Sequence, residues 1–233
     1  MSTSPPCEII PNPFQPCAGT GPVDDETIVL DRDIHTSVIP RLRRLLDYAA
    51  PHEYHYSLTT VPPDAMWTDH ADETLLSVQN DPVTIRALGT LRSISYRATH
   101  NCPAVFTVEI DLLRAIDHAA FVRLLRRGRP RPSTPLYHFF RAFLIIPSAR
   151  YPEFMPIQRI MHHAQATFRH VYDATYRLRP NAMLTTINVS HLVPGDVVCA
   201  DALCALEYLP DGNTRVRFEL RSLYLIARIT RYV

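Results

Sequence analysis

The sequence contains no lysine, little glycine and no long apolar run. All 24 basic residues are arginine, and the chain has 6 glycines against 21 prolines. Because the glycines are few and scattered, a glycine-rich loop that cradles phosphates is excluded. No apolar run approaches the ~20 residues that span a bilayer, and no basic segment followed by an apolar stretch marks an export signal. We therefore expect an intracellular protein without a membrane span.

The missing lysine has two interpretations, and both stay open at this point. Codons for lysine, glycine and glutamate are rich in purines, whereas those for proline, histidine, leucine and tyrosine need pyrimidines. A pyrimidine-rich or overlapping reading frame, as in compact viral genomes, would produce this composition. Alternatively, selection against ubiquitin acceptors would remove lysine, the usual target of that modification.

Net charge, hydrophobic content and cysteine spacing limit the kinds of protein that this chain can be. The formal net charge is +1, so binding to nucleic acid would have to depend on local patches of arginine. Hydrophobic residues make up 46% of the 233 residues and charged residues 20%, which is typical of one folded domain. The five cysteines are widely spaced without a C-x-x-C pair, so neither a zinc ribbon nor a disulfide framework is indicated.

Hydrophobic periodicity predicts an α+β fold. Residues 1–27 are rich in proline and are expected to form a flexible arm, with residues 28–233 as a single domain. Apolar residues at helical spacing predict a long helix over 153–177, and further helices over Ser37–Ala50 and from Asp111 to Arg127. We expect an antiparallel sheet with a long C-terminal hairpin, packed on one face by two main helices.

The C-terminal hairpin carries the most specific local signal. Residues 197–209 and 213–230 alternate as long strands around Pro210-Asp211-Gly212, which suits a type I turn closed by a G1 bulge. This loop sets the register of the two strands. The predicted cross-strand pairs are Glu207–Arg215, Leu206–Val216, Cys204–Phe218 and Asp201–Arg221.

Shorter elements follow from alternation and turn residues. Single strands are predicted in this way over 54–61, 104–110 and 184–189. A pair of strands is predicted over 83–88 and 91–97, on either side of Gly89, and a turn is predicted at 193–196. A short helix is predicted at 73–79. The apolar run from Tyr137 to Ile146 predicts a central strand buried on both faces, with a helix as the alternative.

The candidate nucleic-acid site is a run of arginines at the end of the 111–127 helix. It comprises Arg123, Arg126, Arg127, Arg129 and Arg131, interrupted by glycine and prolines. Such a cluster can contact phosphates or bind an import receptor, although a solvated helix end gives the same pattern. The aromatic residues that follow, Tyr137, Phe139 and Phe140, could stack on bases, but their apolar flanks favour a place in the core.

Other polar clusters favour structural interpretations. The arginines 215, 217 and 221 could form a basic surface with 159, 169 and 177, but cross-strand ion pairs with Glu207 and Asp201 are favoured. His163 and His170 are too far apart for one metal unless a third element lies between them, and the group His52, His55, Asp69, His70 and Asp72 lacks the H-E-x-x-H spacing. Cys102 follows His100 without a base in predicted reach. We therefore predict no catalytic residue, no metal site and no cofactor.

The composition, the proline-rich arm and the arginine cluster favour a non-catalytic viral accessory protein. Its predicted partner is RNA or a host protein, and its predicted role is defence suppression or spread, in the host cytoplasm or nucleus. A small acyl-transfer or hydrolase-type enzyme, with a pocket between helix 153–177 and the C-terminal hairpin, is one alternative. A minor structural or assembly protein of a particle is another.

Overall fold

A computed structural model describes residues 27–28, 30, 36–71, 73–99, 102–128, 139–146 and 168–229. These residues form two α-helices, α1 (Ile39–Leu46) and α2 (Ala115–Arg127), and twelve strands. The strands are β1 (Ala49–Ala50), β2 (His55–Ser57), β3 (Met66–His70), β4 (Glu73–Val78), β5 (Asp81–Pro82), β6 (Thr84–Thr99), β7 (Cys102–Leu112), β8 (Phe140–Ile146), β9 (Val171–Asp173), β10 (Thr185–Thr186), β11 (Val197–Tyr208) and β12 (Thr214–Ala227). The fold is α+β, as predicted, and no helix in this part of the chain is long and apolar enough to cross a membrane.

Five of the strands close into a ring. Strand β6 pairs with β7, β7 with β8, β8 with β12, β12 with β11, and β11 with β6 again. The β8–β12 pairing is parallel, and the other four pairings of the ring are antiparallel. Strands β2 and β9 also add parallel pairings at β6 and β12. The sheet is therefore mixed, and the prediction of an antiparallel sheet is wrong because sequence patterns do not reveal long-range strand order.

Strand β6 closes the ring by changing its partner at Gly89. Residues 84–90 pair with β11, whereas residues from Gly89 to Thr99 pair with β7. A Cβ atom at Gly89 would lie 2.2 Å from the backbone oxygen of Asp111, so only glycine lets the two strands approach this closely. The prediction of two strands separated by a turn at Gly89 is wrong, because this glycine serves close packing within one continuous strand.

The two helices cover opposite faces of the sheet. The first cluster of buried side chains contains Phe121 of α2, whose ring lies 5.6 Å from those of both Phe140 and Phe218. The second cluster contains Leu42, Leu45 and Leu46 of α1. Adjacent residues of β12 alternate between the two clusters, which places them on the two faces of that strand. The prediction that both helices pack on one face is therefore wrong.

Strands β11 and β12 pair along most of their length. The predicted pairs Glu207–Arg215, Leu206–Val216 and Cys204–Phe218 are observed. Gly212 has φ +78° and its amide donates to the Leu209 carbonyl at 3.0 Å, which agrees with the predicted turn. Asp201 lies opposite Ser222 rather than Arg221, because an irregularity between Asp201 and Ala202 shifts the register.

The predicted helix over 153–177 is wrong for its described part. Val171–Asp173 is a strand that pairs parallel to β12, and residues 168–170 and 174–177 are not helical. Val171 and Tyr172 pack into different clusters, so the pattern here is alternation rather than a helical stripe. Residues 153–167 and the arm over 1–26 lie outside the described residues.

The predictions of shorter helices and strands are confirmed in some places and wrong in others. Residues 104–110 lie within β7, and 140–146 form β8, which excludes the helical alternative for that segment. The helix predicted at 73–79 is wrong, since Glu73–Val78 is a strand paired with β3. The strands predicted over 54–61 and 184–189 are shorter than expected. Within them, the structure forms strands only at 55–57 and 185–186. Helix α2 begins at Ala115 instead of after Asp111, because β7 continues to Leu112.

Candidate nucleic-acid interface

The outer face of β7 and β8 carries aromatic and arginine side chains. Phe140 and Ala142 are fully buried in the core, so alternation turns Phe139, Arg141 and Phe143 outward, where all three are partly exposed. We call the set formed by Arg92, Glu109, Phe139, Arg141 and Phe143 the aromatic–arginine face. Of this set, the sequence suggested only Phe139 as a residue that could stack on bases, and a core position was favoured for it because the 137–146 segment was predicted to be buried on both faces.

The Phe139 ring lies against two guanidinium groups. The Cζ atom of Arg92 is 4.9 Å from the ring centroid, and that of Arg141 is 5.1 Å from it. Each such cation–π contact contributes about 0.5–1 kcal/mol at an exposed site. Arginine planes and a phenyl ring placed together form a surface on which a flat, electron-rich group can stack.

Arg141 is held firmly in this cluster. Its Nε donates to Glu109 Oε1 at 2.9 Å, and Ser93 Oγ donates to Glu109 Oε2 at 2.8 Å. The three residues follow one another across β6, β7 and β8, since Glu109 pairs in register with both Ser93 and Arg141. The cross-strand pairing therefore fixes the Arg141 guanidinium in its position beside the Phe139 ring.

Arg92 is held more weakly. Its Nη1 lies 3.2 Å from Asp111 Oδ1, and the two side chains are 49% and 48% exposed. An ion pair this exposed contributes only about 0–1 kcal/mol. A phosphate could therefore replace Asp111 as the partner of Arg92 at little cost.

The predicted arginine cluster is divided by the structure. Arg123 and Arg126 are exposed on α2. Arg127 instead donates to the backbone carbonyls of Ala65 and Pro63 at 3.3 and 3.5 Å, which ties the end of α2 to a neighbouring loop. Arg129 and Arg131 lie outside the described residues.

Each of the three β12 arginines that the sequence assigned to a basic surface lies next to a carboxylate, whereas Arg159 of that set lies outside the described residues. Arg215 Nε lies 2.6 Å from Glu207, and Arg217 Nη2 lies 3.0 Å from Glu73. Arg221 Nη2 lies 3.2 Å from Glu219. The favoured prediction of ion pairing is therefore confirmed for Glu207, whereas Asp201 pairs with Arg86 of β6 instead. The core position favoured for Phe140 is confirmed as well, and Tyr137 lies outside the described residues.

The metal-competent side chains do not converge in the part of the chain that the structure describes. His55 Nε2 lies 3.1 Å from Asp201 Oδ1, while His70 Nε2 lies 3.0 Å from Ser77 Oγ. Asp69 accepts a hydrogen bond from Thr74 at 2.7 Å. Each group is thus engaged in a separate local contact. Asp72, His100 and His163 lie outside the described residues.

Cys199 and Cys204, the buried thiols among the described residues, are not activated. Burial raises the pKa of Cys199 to about 12, and it also raises the pKa of Cys204. A thiol in this state is protonated near neutral pH and is a poor nucleophile. These two cysteines therefore do not support the acyl-transfer or hydrolase-type alternative.

Comparisons with known proteins find similar solved structures but no family. The chain matches no protein-family model and no curated protein sequence. It is similar to the mitochondrial single-stranded DNA-binding protein Rim1 from S. cerevisiae, with 11% identity, 64% of this chain and 98% of that chain covered, and a TM-score of 0.29. It is also similar to gp2.5, a single-stranded DNA-binding protein encoded by bacteriophage T7, with 12% identity, 65% and 90% covered, and a TM-score of 0.35. Independently of these two proteins, the closed ring of five strands has the architecture of an OB-fold barrel.

Proposed function

We propose that this protein is a non-catalytic module that binds single-stranded nucleic acid through the aromatic–arginine face. The observation that carries the proposal is the partly exposed ring of Phe139, the residue before β8, with guanidinium groups 4.9 and 5.1 Å from its centroid. Proteins that bind single strands combine aromatic rings, on which bases stack, with cationic groups along the backbone.

The position of this face supports the same function by analogy of fold. In OB-fold barrels the face of the second and third strands binds oligonucleotides. In chain order, β7 and β8 are the second and third strands of the ring. The fold alone does not determine function, so the proposal depends mainly on the side chains that this face presents.

The contacts suggest how a strand would be bound. Arg92 exchanges its exposed partner Asp111 for a phosphate, which uncovers the part of the Phe139 ring that Arg92 covers. Arg141 stays bonded to Glu109 and keeps the ring in place. A base then stacks on Phe139, and the Arg92 guanidinium binds the backbone next to it.

The exposed arginines of α2 are proposed as a second set of contacts. Arg123 and Arg126, together with Arg129 and Arg131, would bind phosphates farther along the strand. Arg127 is left out of this set because its guanidinium is bonded to two backbone carbonyls. The biological setting that we infer is a viral accessory role in defence suppression or spread, in the host cytoplasm or nucleus, and it is supported by the lysine-free composition.

Replacing Phe139 with leucine should weaken binding about tenfold, because stacking on an aromatic ring contributes about 1–3 kcal/mol per base. Phe139→Tyr and Phe139→Trp should keep the affinity within about threefold, since both retain a stacking surface. Fluorescence anisotropy with RNA and DNA strands of about 16 nucleotides measures the effect. The same titration decides between RNA and DNA as the preferred partner.

The matched control is Tyr208→Ala, which removes an aromatic side chain that is 67% exposed on β11. Thermal unfolding of each variant checks that the fold is intact. An equal loss of affinity in Tyr208→Ala, or full affinity in Phe139→Leu, would contradict the proposed interface.

Reversing the charge of Arg123 and Arg126 together should lower the salt dependence of binding. Each phosphate contact contributes about 0.7 to the slope of log K against log salt for single strands, so the double variant should lose about 1.4. The control is reversal of Arg43 and Arg44, two exposed arginines on α1, which changes net charge equally. If both double variants behave alike, Arg123 and Arg126 act only through net charge and the proposed contacts are wrong.

A further inference from the structure

A cavity of about 510 Å³ opens on the face of the sheet opposite the barrel core. Strands β2, β6, β11 and β12 form its floor, and the segment 178–181 forms one wall. This volume lies within the roughly 300–1,000 Å³ of small-molecule sites. The cavity shares no residue with the aromatic–arginine face.

The floor of the cavity is rigid and electrically neutral. Arg86 Nε and Nη2 donate to the two carboxylate oxygens of Asp201, each at 2.8 Å, and both side chains are 6% exposed. The Arg86 guanidinium also lies 4.5 Å from the ring centroid of Tyr48 and 5.8 Å from that of Tyr224. Burial opposes ionisation of Asp201, but hydrogen bonds from Arg86 and His55 lower its pKa to about 2. The two opposite charges therefore cancel beneath the cavity.

The walls offer neutral hydrogen-bonding groups. Tyr224 Oη donates to Asn181 Oδ1 at 2.9 Å, and burial raises the pKa of Tyr224, so its hydroxyl is protonated near neutral pH. The side chains of Thr84, Asn181 and Ser222 also line the cavity. Hydroxyl and amide groups of this kind suit a polar ligand such as a sugar rather than an apolar one.

The mouth of the cavity carries an excess of positive charge. Arg179 and Arg221 are exposed there, with Glu53 as the opposing carboxylate. Arg221 lies 3.2 Å from Glu219, but Glu219 also lies 3.5 Å from Arg217 and keeps that partner if Arg221 moves. Arginine binds phosphate oxygens through paired hydrogen bonds that are stronger than those between neutral groups.

We propose that this cavity binds a phosphomonoester, with the phosphate at Arg179 and Arg221 and a polar body, such as a ribose, against Asn181 and Ser222. The ligand could be a free nucleoside monophosphate or the phosphorylated end of a nucleic-acid strand, and both present the same chemistry. The inference goes beyond strand binding at the aromatic–arginine face and does not depend on it.

Calorimetry with AMP and with adenosine tests this site. AMP should bind at least about tenfold more tightly than adenosine, and Arg179→Ala and Arg221→Ala should each weaken AMP about tenfold. Glu53→Gln should tighten AMP several-fold, because it removes a carboxylate that lines the cavity together with Arg179 and Arg221. Arg215→Ala, an exposed arginine on β12 away from the cavity, is the matched control and should leave AMP binding unchanged.

The source of the phosphate is decided by oligonucleotides with and without a terminal phosphate. A gain in affinity from the terminal phosphate that is lost in Arg179→Ala identifies a strand end, and binding of AMP alone identifies a free nucleotide. Equal binding of AMP and adenosine, or AMP binding unaffected by Arg179→Ala and Arg221→Ala, would overturn the proposal. Phe139→Leu should leave AMP binding unchanged, so a failure here is distinguishable from failure of the strand-binding function.

Discussion

Replacing Asp201 with alanine should lower the free energy of unfolding by about 3–5 kcal/mol. The substitution leaves the Arg86 guanidinium buried without the carboxylate that accepts two hydrogen bonds from it at 2.8 Å. Both side chains are only 6% exposed, so water from the neighbouring cavity would compensate only part of the lost interaction. A domain is stable by only about 5–15 kcal/mol, and this loss would bring the protein close to unfolding. Urea denaturation measured on the native chain and the variant gives the difference directly.

Two variants show whether the loss comes from the unpaired charge. The double substitution Arg86→Met with Asp201→Leu should recover most of the stability, because an apolar pair can replace a buried ion pair at little cost. Glu207→Ala breaks the exposed pair with Arg215, 58% exposed on the arginine side, and should cost under about 1 kcal/mol. A cost for Asp201→Ala as small as that for Glu207→Ala would show that the Arg86–Asp201 pair is not structurally important.

Replacing Gly89 with alanine should destabilise the fold by about 3 kcal/mol, at the upper end of the cost of overpacking a core. The new Cβ atom would lie 2.2 Å from the Asp111 backbone oxygen and 2.4 Å from Ile110 Cγ2. The first of these neighbours is backbone, so β6 and β7 would have to separate where Thr90 pairs with Asp111. Urea denaturation measures the change in the free energy of unfolding.

Gly212→Ala is the control that distinguishes the cost of steric crowding from the cost of a strained backbone conformation. Gly212 has φ +78°, but nothing lies within 4 Å of the position of its Cβ. Alanine there should cost about 1 kcal/mol, from the left-handed conformation alone. If Gly89→Ala costs no more than Gly212→Ala, β6 does not approach β7 as closely as described.

Local chemistry predicted the parts of the fold that depend on neighbouring residues. The register of β11 and β12 follows from the loop at 210–212, which brings Glu207 opposite Arg215. The predicted pair of Asp201 with Arg221 is not observed, because it lies beyond a shift in register between Asp201 and Ala202. No turn residue in the sequence indicates this shift. Closure of the ring between β6 and β11 joins residues more than a hundred positions apart in the chain, and periodicity carries no information on such pairings.

The candidate site was predictable only in part. A cluster of arginines after α2 is visible in the sequence, but the bonds from Arg127 to the carbonyls of Ala65 and Pro63 appear only in the fold. Phe139 and Phe140 are neighbours in an apolar run, and their separation into outward and inward side chains requires a strand with one exposed face. The role of Arg92 depends on the pairing of β6 with β7, which brings it to Asp111 and Phe139.

Ultraviolet crosslinking of the bound strand, followed by mass spectrometry, tests the aromatic–arginine face most directly. The chain has no lysine, so trypsin cleaves only at arginine and places Phe139 and Phe143 in the peptides 128–141 and 142–150. The predicted result is crosslinked nucleotides in these two peptides, lost from the first in Phe139→Leu. Crosslinks confined to other peptides while the strand is bound would contradict the assignment of this face as the binding interface.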